Sequence, residues 1–311
     1  MELIRGIHNI QPRHKGCVLT IGNFDGVHLG HQQVLKQVSD KAKQLGLPAI
    51  VMTFEPQPME FFAGQKAPAR LTRLRDKLTQ LDKLSIERLL CVNFNASFAN
   101  LSAERFIGDL LVNRLGVKFL VVGDDFCFGK GRRGDFEMLQ QAGIQYGFEV
   151  VSTQSFCVQN TRVSSTEIRN ALADDNLDLA SELLGRPYSI SGRVSHGQKL
   201  GRTIGFPTAN IPLKRCVSPV SGVYVVEASF ENRIALGGVA NIGKRPTVEG
   251  VRQQLEVHLF DFQGDLYGKP LQVSLLHKLR NEKKFESFEA LKAQIELDAE
   301  AARVWLRQLN S

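Results

Sequence analysis

Hydrophobic patterning changes near residue 185, and this change limits most strongly what the chain can fold into. Before it, short apolar runs alternate with stretches of helical periodicity; after it, short alternating runs are separated by Gly- and Pro-rich loops. The first pattern predicts an α/β domain with a parallel, Rossmann-like sheet, and the second a small antiparallel β-barrel. With Gly185-Arg186-Pro187 at the transition, the 311 residues are predicted to form two domains, 1–184 and 185–311.

The periodicity also predicts individual elements. Strands of the first half are predicted at Val18–Gly22, Ala49–Phe54, Leu89–Phe94, Phe119–Gly123 and Phe148–Ser152. Its helices are predicted at His31–Leu45, Leu74–Leu84, Ala103–Leu115, Phe136–Tyr146, Ser165–Ala173 and Leu177–Leu184. Barrel strands are predicted at Ser189–Val194, Val223–Phe230, Ile234–Val239, Gln254–Phe260 and Leu271–Leu279. A long helix closes the barrel, with a predicted buried stripe of Phe288, Leu291, Ile295, Ala299, Ala302, Trp305, Leu306 and Leu309.

Basic residues outnumber acidic ones by 39 to 32, and the surplus is uneven: net +1 over 1–184 and +6 over 185–311. Such a surplus suits nucleic acid, an anionic membrane or phosphorylated small molecules. The barrel motifs lack Lys/Arg runs interleaved with exposed aromatics, and no apolar run approaches the ~18 residues of a membrane helix. We therefore expect small-molecule partners, and neither nucleic acid nor a membrane.

Targeting and redox features point to the cytoplasm. Residues 1–20 are polar and lack the continuous apolar stretch of a secretory signal peptide, so none is expected. The five cysteines are scattered and contain no CxxC pair. A zinc site or a disulfide framework is therefore not expected, and a reducing compartment fits best.

The sequence GNFDGVHLGH, residues 22–31, connects the first predicted strand to the first helix. Its glycines allow close backbone approach to a ligand, and a helix N-terminus offers N–H groups to an anion. His28 and His31, three residues apart, can both donate to phosphate oxygens and stabilise charge during phosphoryl or nucleotidyl transfer. A helix cap with two surface histidines is the alternative, but the position directly after strand one favours a nucleotide site.

A second helix start, RVSSTEIR at residues 162–169, offers three consecutive hydroxyls and an arginine. Ser164 and Glu167 form a capping-box pattern, which by itself favours a purely structural reading. Ser164, Ser165, Thr166 and Arg169 also suit the β- and γ-phosphates of ATP. Together with the histidine motif, we expect both roles.

Two further loops follow predicted strands of the first half. They are TFEPQP at 53–58 and VGDDFCFGKGRRGD at 122–135. The second mixes aromatic rings, carboxylates and arginines, a combination that suits a planar phosphorylated ligand. A surface loop with solvated arginines would have the same composition.

The barrel half contains neither a Walker motif nor a kinase signature set. Its segment GQKLGRTIGFPTAN, residues 197–210, could form a flap over polyphosphate through residues such as Lys199 and Arg202. Thr208 and Asn210 face one side of an extended chain, and their oxygens suit Mg²⁺. A Gly/Pro-rich turn between strands is the commoner explanation of such a segment.

Two more barrel segments carry candidate residues. In the alternating strand LEVHLF, residues 255–260, Glu256 and His258 share one face, and a carboxylate beside Mg·ATP could accept a hydroxyl proton. A solvent-facing glutamate is more common at such a position. The segment GGVANIGKRPT, 237–247, could cover a ligand or merely turn the chain.

The ordered motifs resemble bacterial bifunctional riboflavin kinase/FAD synthetases over nearly the whole chain. In the first half the resemblance rests on GNFDGVHLGH, TFEPQP, VGDDFCFGKGRRGD and RVSSTEIR. In the second half it rests on GRTIGFPTAN, SGVYVV, GGVANIGKRPTV, LEVHLFDFQGDLYG and LRNEKKFES. It implies ATP-dependent phosphorylation of riboflavin to FMN, and then transfer of AMP from ATP to FMN, giving FAD and pyrophosphate.

The resemblance also implies roles for single residues. His28, His31, Arg169 and Glu256 are the implied catalytic residues, with Glu256 the base for the ribityl 5′-hydroxyl. The implied ATP-binding residues are Gly22, Asn23, Phe24, Asp25, Gly30, Ser164, Ser165, Thr166, Gly201, Arg202, Gly205, Thr208 and Asn210. The implied flavin-binding residues are Pro56, Pro58, Asp125, Phe128, Asn241 and Arg280. Thr208 and Asn210 are the implied Mg²⁺ ligands, ATP is the co-substrate, and the flavins are substrates and products.

Two other readings remain at this stage. The first half could be a nucleotidyltransferase for another phosphorylated substrate, with a barrel that only senses ligand. The basic barrel could instead bind nucleic acid, although its motifs argue against that. Weak or transient self-association is also expected.

Overall fold

A computed structural model describes residues 1–153, 156–158, 161–196, 205–213, 217–230, 235–247 and 250–309. It divides into two compact units, one of residues 1–68 and 72–165, the other of residues 69–71 and 166–311. Gly201 and Arg202, with the rest of the predicted flap at 197–204, lie outside the described residues, as does the start of the strand predicted at Ile234. The predicted boundary between residues 184 and 185 stays a prediction.

The first unit is built on a parallel sheet, as its alternating pattern predicted. Within the described residues the strands are β1 (Glu2–Arg5), β2 (Cys17–Ile21), β3 (Ala49–Glu55), β4 (Arg88–Asn93), β5 (Val117–Gly123) and β6 (Glu149–Thr153). They are hydrogen-bonded in the order β1-β4-β3-β2-β5-β6, and every neighbouring pair is parallel. All five residues of β2 are buried, as expected for a central strand covered on both faces.

Helices connect these strands and cover the sheet. They are α1 (Leu29–Leu45), α2 (Pro58–Ala63), α3 (Leu74–Lys83), α4 (Ala96–Ala99), α5 (Ala103–Arg105) and α6 (Phe136–Tyr146). Short 3₁₀ turns lie at Ile7–Asn9, Pro12–His14, Gly64–Lys66 and Lys130–Arg132. A two-stranded hairpin of β7 (Cys157–Val158) and β8 (Thr161–Arg162) follows β6. Because the strands are parallel, the loops after β2 and β3 leave the sheet at the same edge, where ligands bind in such folds.

The second unit contains a nearly closed antiparallel barrel. Helices α7 (Ser165–Ala173) and α8 (Leu177–Leu184) precede its strands along the chain. The described strands are β9 (Ser189–Arg193), β10 (Ala209–Pro212), β11 (Gly222–Ser229), β12 (Leu236–Thr247), β13 (Gly250–Leu259) and β14 (Pro270–Arg280). Their order is β10-β13-β12-β11-β14-β9, and a bridge between Ser195 and Asn210 joins the two edges.

The last helix, α9 (Phe288–Leu309), packs against the outside of the barrel. Ala299 and Ala302 pack with Val223 and Val225 of β11, as the predicted stripe requires. The stripe is wrong at its ends, where Phe288 and Leu309 are largely exposed. The helix is longer than the strands that it covers, so its terminal turns extend past the apolar surface.

Several elements differ from the sequence predictions. The edge strand β1 and the four-residue β10 were not predicted, because each gives too few alternating positions for a pattern. The helix predicted at Ala103–Leu115 is α-helical only at Ala103–Arg105 and continues as a π-helix over Phe106–Arg114. Strand β12 continues to Thr247, eight residues past its predicted end at Val239. Among the described residues, no helix is both long and apolar enough to cross a membrane.

Candidate active sites

The histidine motif of the first unit forms a strained turn that leads into α1. Phe24 and Val27 are buried yet have positive φ angles of 46° and 43°, conformations that side chains rarely adopt. Strain of this kind is kept where the surrounding structure over-determines it, commonly at functional sites. A Cβ added at Gly30 would lie 3.3 Å from both the His28 ring and the Val163 carbonyl oxygen, which explains the glycine there.

His28 and His31 stack on each other at the start of α1. Their ring centroids are 3.6 Å apart at an interplanar angle of 18°. His28 is the N-cap residue, and its Nδ1 accepts the backbone N–H of His31 at 3.2 Å. An accepting Nδ1 carries no proton, so the His28 ring is neutral with its proton on Nε2.

His31 is held neutral by its surroundings. Burial is the main reason that its pKa lies well below the ordinary range, and the neighbouring His28 and Lys77 lower that pKa further. Among the described residues, its Nδ1 is buried and has no hydrogen-bond partner, and the same is true of Oδ1 of Asn23. Buried polar atoms left unpaired are costly, and these two await a ligand or water.

Asp25 fastens the glycine-rich loop to its surroundings. Its Oδ1 accepts the backbone N–H of Thr72 at 2.9 Å, and Thr72 Oγ1 in turn accepts the N–H of Gly26. The Asp25 carbonyl accepts the Ser165 hydroxyl at 2.9 Å. Two of the predicted phosphate motifs therefore meet within the first unit, where the hydrogen bond from Ser165 to Asp25 joins them.

The remaining predicted residues of the first half lie in several elements. Gly22 ends β2, Pro56 and Pro58 lie between β3 and α2, and Asp125 is exposed in the loop after β5. Phe128 is buried against Phe106, with ring centroids 5.0 Å apart. The other two predicted phosphate ligands, Thr166 and Arg169, belong to the second unit, where Arg169 Nε donates to the Ala69 carbonyl at 2.6 Å.

Four predicted kinase residues lie in one register row across the barrel. Asn210 of β10 is opposite Glu256 of β13, and Glu256 is opposite Asn241 of β12. Val223 of β11 continues the row and pairs with Arg280 of β14. Directly opposed residues project to the same face of a sheet with Cβ atoms about 5 Å apart. Leu255 and Val257 point into the barrel core, so this row faces outward.

Thr208 and Asn210 lie at the start of β10. Asn210 Oδ1 accepts a hydrogen bond from Gln254 Nε2, and its Nδ2 donates to the Thr208 carbonyl at 3.3 Å. An amide oxygen has two lone pairs, so the Gln254 bond leaves one for a further partner. Gly205, the first described residue of the predicted flap, has a φ of +84°, which suits glycine.

Arg280 is bound by the last helix. Its Nε lies 3.0 Å from both carboxylate oxygens of Asp298, and its Nη2 lies 2.7 Å from Oδ2. Gln294 also donates to Asp298, which is buried. Arg280 borders an open cavity of about 430 Å³ that Asp175, Asn176 and Lys278 also line. Its predicted flavin contact stays a prediction.

Comparison with known proteins identifies a family for each half of the chain. The FAD synthetase family model matches residues 10–167, and the riboflavin kinase family model matches residues 184–306. The chain is 60% identical to the bifunctional riboflavin kinase/FMN adenylyltransferase of Escherichia coli (strain K12), over 97% of each protein. The chain belongs to the bifunctional riboflavin kinase/FMN adenylyltransferase family. The predicted family and its pair of activities are confirmed.

Other similar proteins extend the comparison. The bifunctional enzyme of Haemophilus influenzae is 55% identical, over 98% of this chain and 99% of that protein. A crystal structure described as a macrolide-efflux protein from Streptococcus pneumoniae matches with a TM-score of 0.80 and 31% identity, over 97% and 99% of the two chains. The predicted pair of folds, a parallel α/β unit followed by an antiparallel barrel, is confirmed.

Aromatic side chains of this family member form an exposed surface that the sequence reasoning missed. Phe62 and Phe61 of α2 are 67% and 40% exposed. Both rings stand edge-on to Phe94, with centroids 5.7 and 5.6 Å away, and Phe54 at the end of β3 packs on the same ring. The residue pair FF, which begins three positions after Pro58, was the available indication.

Lys77 was also missed, although its place in the α3 pattern could have revealed it. Leu74, Lys77, Leu78 and Leu81 lie on one helical face, so a lysine replaces an expected core residue. Lys77 is 1% exposed, and its Nζ donates to the Asn23 carbonyl at 2.5 Å and to Thr53 Oγ1 at 3.2 Å. A buried ammonium therefore holds the ends of β2 and β3 beside the histidine pair.

We expect Lys77→Met to lower the free energy of unfolding by about 1–3 kcal/mol, because it leaves buried oxygen acceptors without their charged donor. FAD formation should fall with it, since the Asn23 loop loses its anchor. Chemical denaturation measures the first effect. Lys83→Met, at the exposed end of the same helix, is the control, and equal stability of the two variants would contradict this role for Lys77.

Proposed function

We propose that the barrel of this chain phosphorylates riboflavin through Thr208, Asn210 and Glu256, and that the parallel-sheet unit adenylylates FMN through His28 and His31. The observation that carries the proposal is that each unit brings together part of one predicted constellation. The histidines stack at the start of α1, and Asn210, Glu256 and Asn241 share one row of the barrel.

In the kinase step the riboflavin 5′-hydroxyl oxygen attacks the γ-phosphorus of ATP. Glu256 accepts the hydroxyl proton as the new P–O bond forms, while the bond to the bridging oxygen breaks and ADP leaves. The oxygens of Thr208 and Asn210 fit Mg²⁺, which prefers hard oxygen donors and keeps few protein ligands when it also binds phosphates. Bound there, Mg²⁺ would neutralise phosphate charge. In this proposal Asn241, which lies opposite Glu256, orients the flavin.

In the adenylyl step an FMN phosphate oxygen attacks the α-phosphorus of ATP, and pyrophosphate leaves. No covalent enzyme intermediate is needed. Negative charge grows on the phosphate oxygens, and the Nε2–H of His28, the His31 ring and the N-terminus of α1 stabilise it. The other phosphate ligands of this step within the first unit are Asn23 and Ser164, while the roles of Thr166 and Arg169 stay predictions.

The flavin of the adenylyl step binds, in this proposal, beside Pro56 and Pro58. The exposed rings of Phe61 and Phe62 lie on the helix that begins at Pro58, at the edge where β3 and β4 end. A planar isoalloxazine gains stacking and apolar contact there. Asp125 and Phe128 are the further flavin-side residues of the proposal.

The location and assembly of the chain are also proposals. None of the four cysteines within the described ranges is in a disulfide, which supports a reducing cytoplasm. Leu297 and Val304, one heptad apart on α9, are exposed and support weak or transient self-association. Sedimentation at rising protein concentration tests the second point, and a constant sedimentation coefficient would contradict it.

The proposed function is tested by separating the flavin products of the purified chain. With riboflavin, ATP and Mg²⁺, FMN should form first and FAD after it. With FMN, ATP and Mg²⁺, FAD and pyrophosphate should form in equal amounts. Absence of FMN in the first reaction would overturn the kinase assignment, and absence of FAD in the second would overturn the adenylyltransferase assignment.

A further inference from the structure

His258 lies on the same strand as Glu256 but is not part of the reacting row. It is two residues further along β13, so its side chain is on the same face of the strand. Its Nδ1 lies 2.9 Å from the carbonyl oxygen of Pro207. Pro207 directly precedes Thr208, the proposed Mg²⁺ ligand, so the imidazole contacts the backbone that carries the metal site.

The surroundings of His258 fix its orientation and its protonation. Phe206 stands edge-on to the imidazole at 5.1 Å, and Phe260 at 5.8 Å. The nearby charged groups, Asp261 and Arg303, are paired with each other at 3.1 Å. Burial lowers the pKa of His258, so the ring is neutral at pH 7. A carbonyl oxygen only accepts, so the proton of the neutral ring lies on Nδ1.

The hydrogen bond from His258 to the Pro207 carbonyl affects the proposed metal site because of its position in the chain. Strand β10 begins at Ala209, so Pro207 and Thr208 precede the ladder. Two side-chain donors reach their carbonyls: His258 Nδ1 on Pro207 and Asn210 Nδ2 on Thr208. The Pro207 carbonyl and the Thr208 nitrogen belong to one planar peptide unit. Fixing that oxygen therefore fixes the direction in which Thr208 leaves the peptide.

We propose that His258 is a positioning residue of the kinase site, holding the Pro207–Thr208 peptide so that the Thr208 hydroxyl and the Asn210 amide oxygen meet Mg·ATP together. The proposal rests on the proposed function of Thr208, Asn210 and Glu256. It assigns His258 no contact with substrate. Misplacing a ligand by about 1 Å costs on the order of 100-fold in rate, so loss of this bond reduces FMN formation without removing the base.

The test uses two nearly isosteric replacements in the full chain. His258→Leu removes the donor, whereas His258→Asn places an amide N–H near the position of Nδ1. His277→Leu is the matched control, because His277 lies on β14 of the same barrel and stacks on Trp305. Initial rates of FMN formation are measured over a range of Mg·ATP concentrations, and FAD formation from supplied FMN is measured on the same preparations.

We expect His258→Leu to lower kcat/KM for FMN formation by about 10- to 100-fold, with a raised KM for Mg·ATP. His258→Asn should recover most of the loss, and His277→Leu should match the unmodified chain. FAD formation from FMN should be unchanged in all three. Trp305, the single tryptophan, lies on α9 against the barrel, so its emission gives the unfolding midpoint of this unit.

Three results would overturn the proposal. The first is that His258→Leu forms FMN with wild-type kinetics. The second is that His258→Asn is as impaired in FMN formation as His258→Leu although both have the same unfolding midpoint. The third is that the loss of FMN formation in His258→Leu is fully explained by unfolding of the barrel. If the unmodified chain made no FMN, the proposed function itself would fail. That result is distinct, because it needs no His258 variant.

Discussion

Replacing His28 or His31 with alanine is expected to reduce FAD formation from FMN by about 100- to 1,000-fold while FMN formation from riboflavin continues. The two rings stack 3.6 Å apart at the start of α1. In the proposed adenylyl step, each substitution deletes a donor to the developing phosphate charge. His31→Ala also removes a ring on which Phe24 packs at 5.0 Å, so it should cost some stability of the loop.

The measurement is the initial rate of FAD formation from FMN, with FMN formation as an internal control on the same sample. His8→Ala is the matched substitution, because His8 is an exposed histidine of the same unit. It should leave both rates unchanged. Loss of both activities in a folded His28 or His31 variant, or loss of neither, would contradict the assignment of these residues to the adenylyl step.

Replacing Glu256 with glutamine is expected to have the opposite effect. FMN formation should fall by about 100- to 10,000-fold, the range for loss of a general base, while FAD formation from supplied FMN persists. Glutamine keeps the size of the side chain and its place opposite Asn210 and Asn241. The part removed is the carboxylate that, in the proposed kinase step, accepts the 5′-hydroxyl proton.

Glu227→Gln on β11 is the matched control, since it makes the same change on another strand of the barrel. Initial rates of FMN formation at saturating Mg·ATP separate the two variants. If both behaved alike, or if Glu256→Gln kept its kinase rate, the base would have to be another group.

Local patterns were sufficient to predict most of the fold. Strand β2 is uniformly apolar and α1 is amphipathic, so strand and helix could be read from neighbouring residues. Strands β1 and β10 have four residues each, and they form because Ile4 pairs with Leu90 and Asn210 with Glu256. Such long-range pairing cannot be predicted from the sequence of a four-residue segment.

The candidate sites could likewise be predicted from the sequence only in part. Motif spacing was sufficient to single out His28 with His31, and Thr208 with Asn210. The register row that unites Asn210, Glu256 and Asn241 depends on the pairing of β13 with β10 and β12. The spacing of these residues along the chain does not predict that pairing. Lys77 and His258 donate hydrogen bonds to backbone carbonyls. Every residue has such a carbonyl, so the sequence of the partner gives little indication of these bonds.

The central claim is that one chain holds two separate reaction sites, and an order-of-addition experiment on Glu256→Gln tests it most directly. The variant is incubated with riboflavin, ATP and Mg²⁺, FMN is added later, and flavins are separated throughout. The account predicts almost no FMN or FAD before the addition and FAD formation at the wild-type rate after it. FAD formed from riboflavin before the addition, or none formed from FMN after it, would contradict the account.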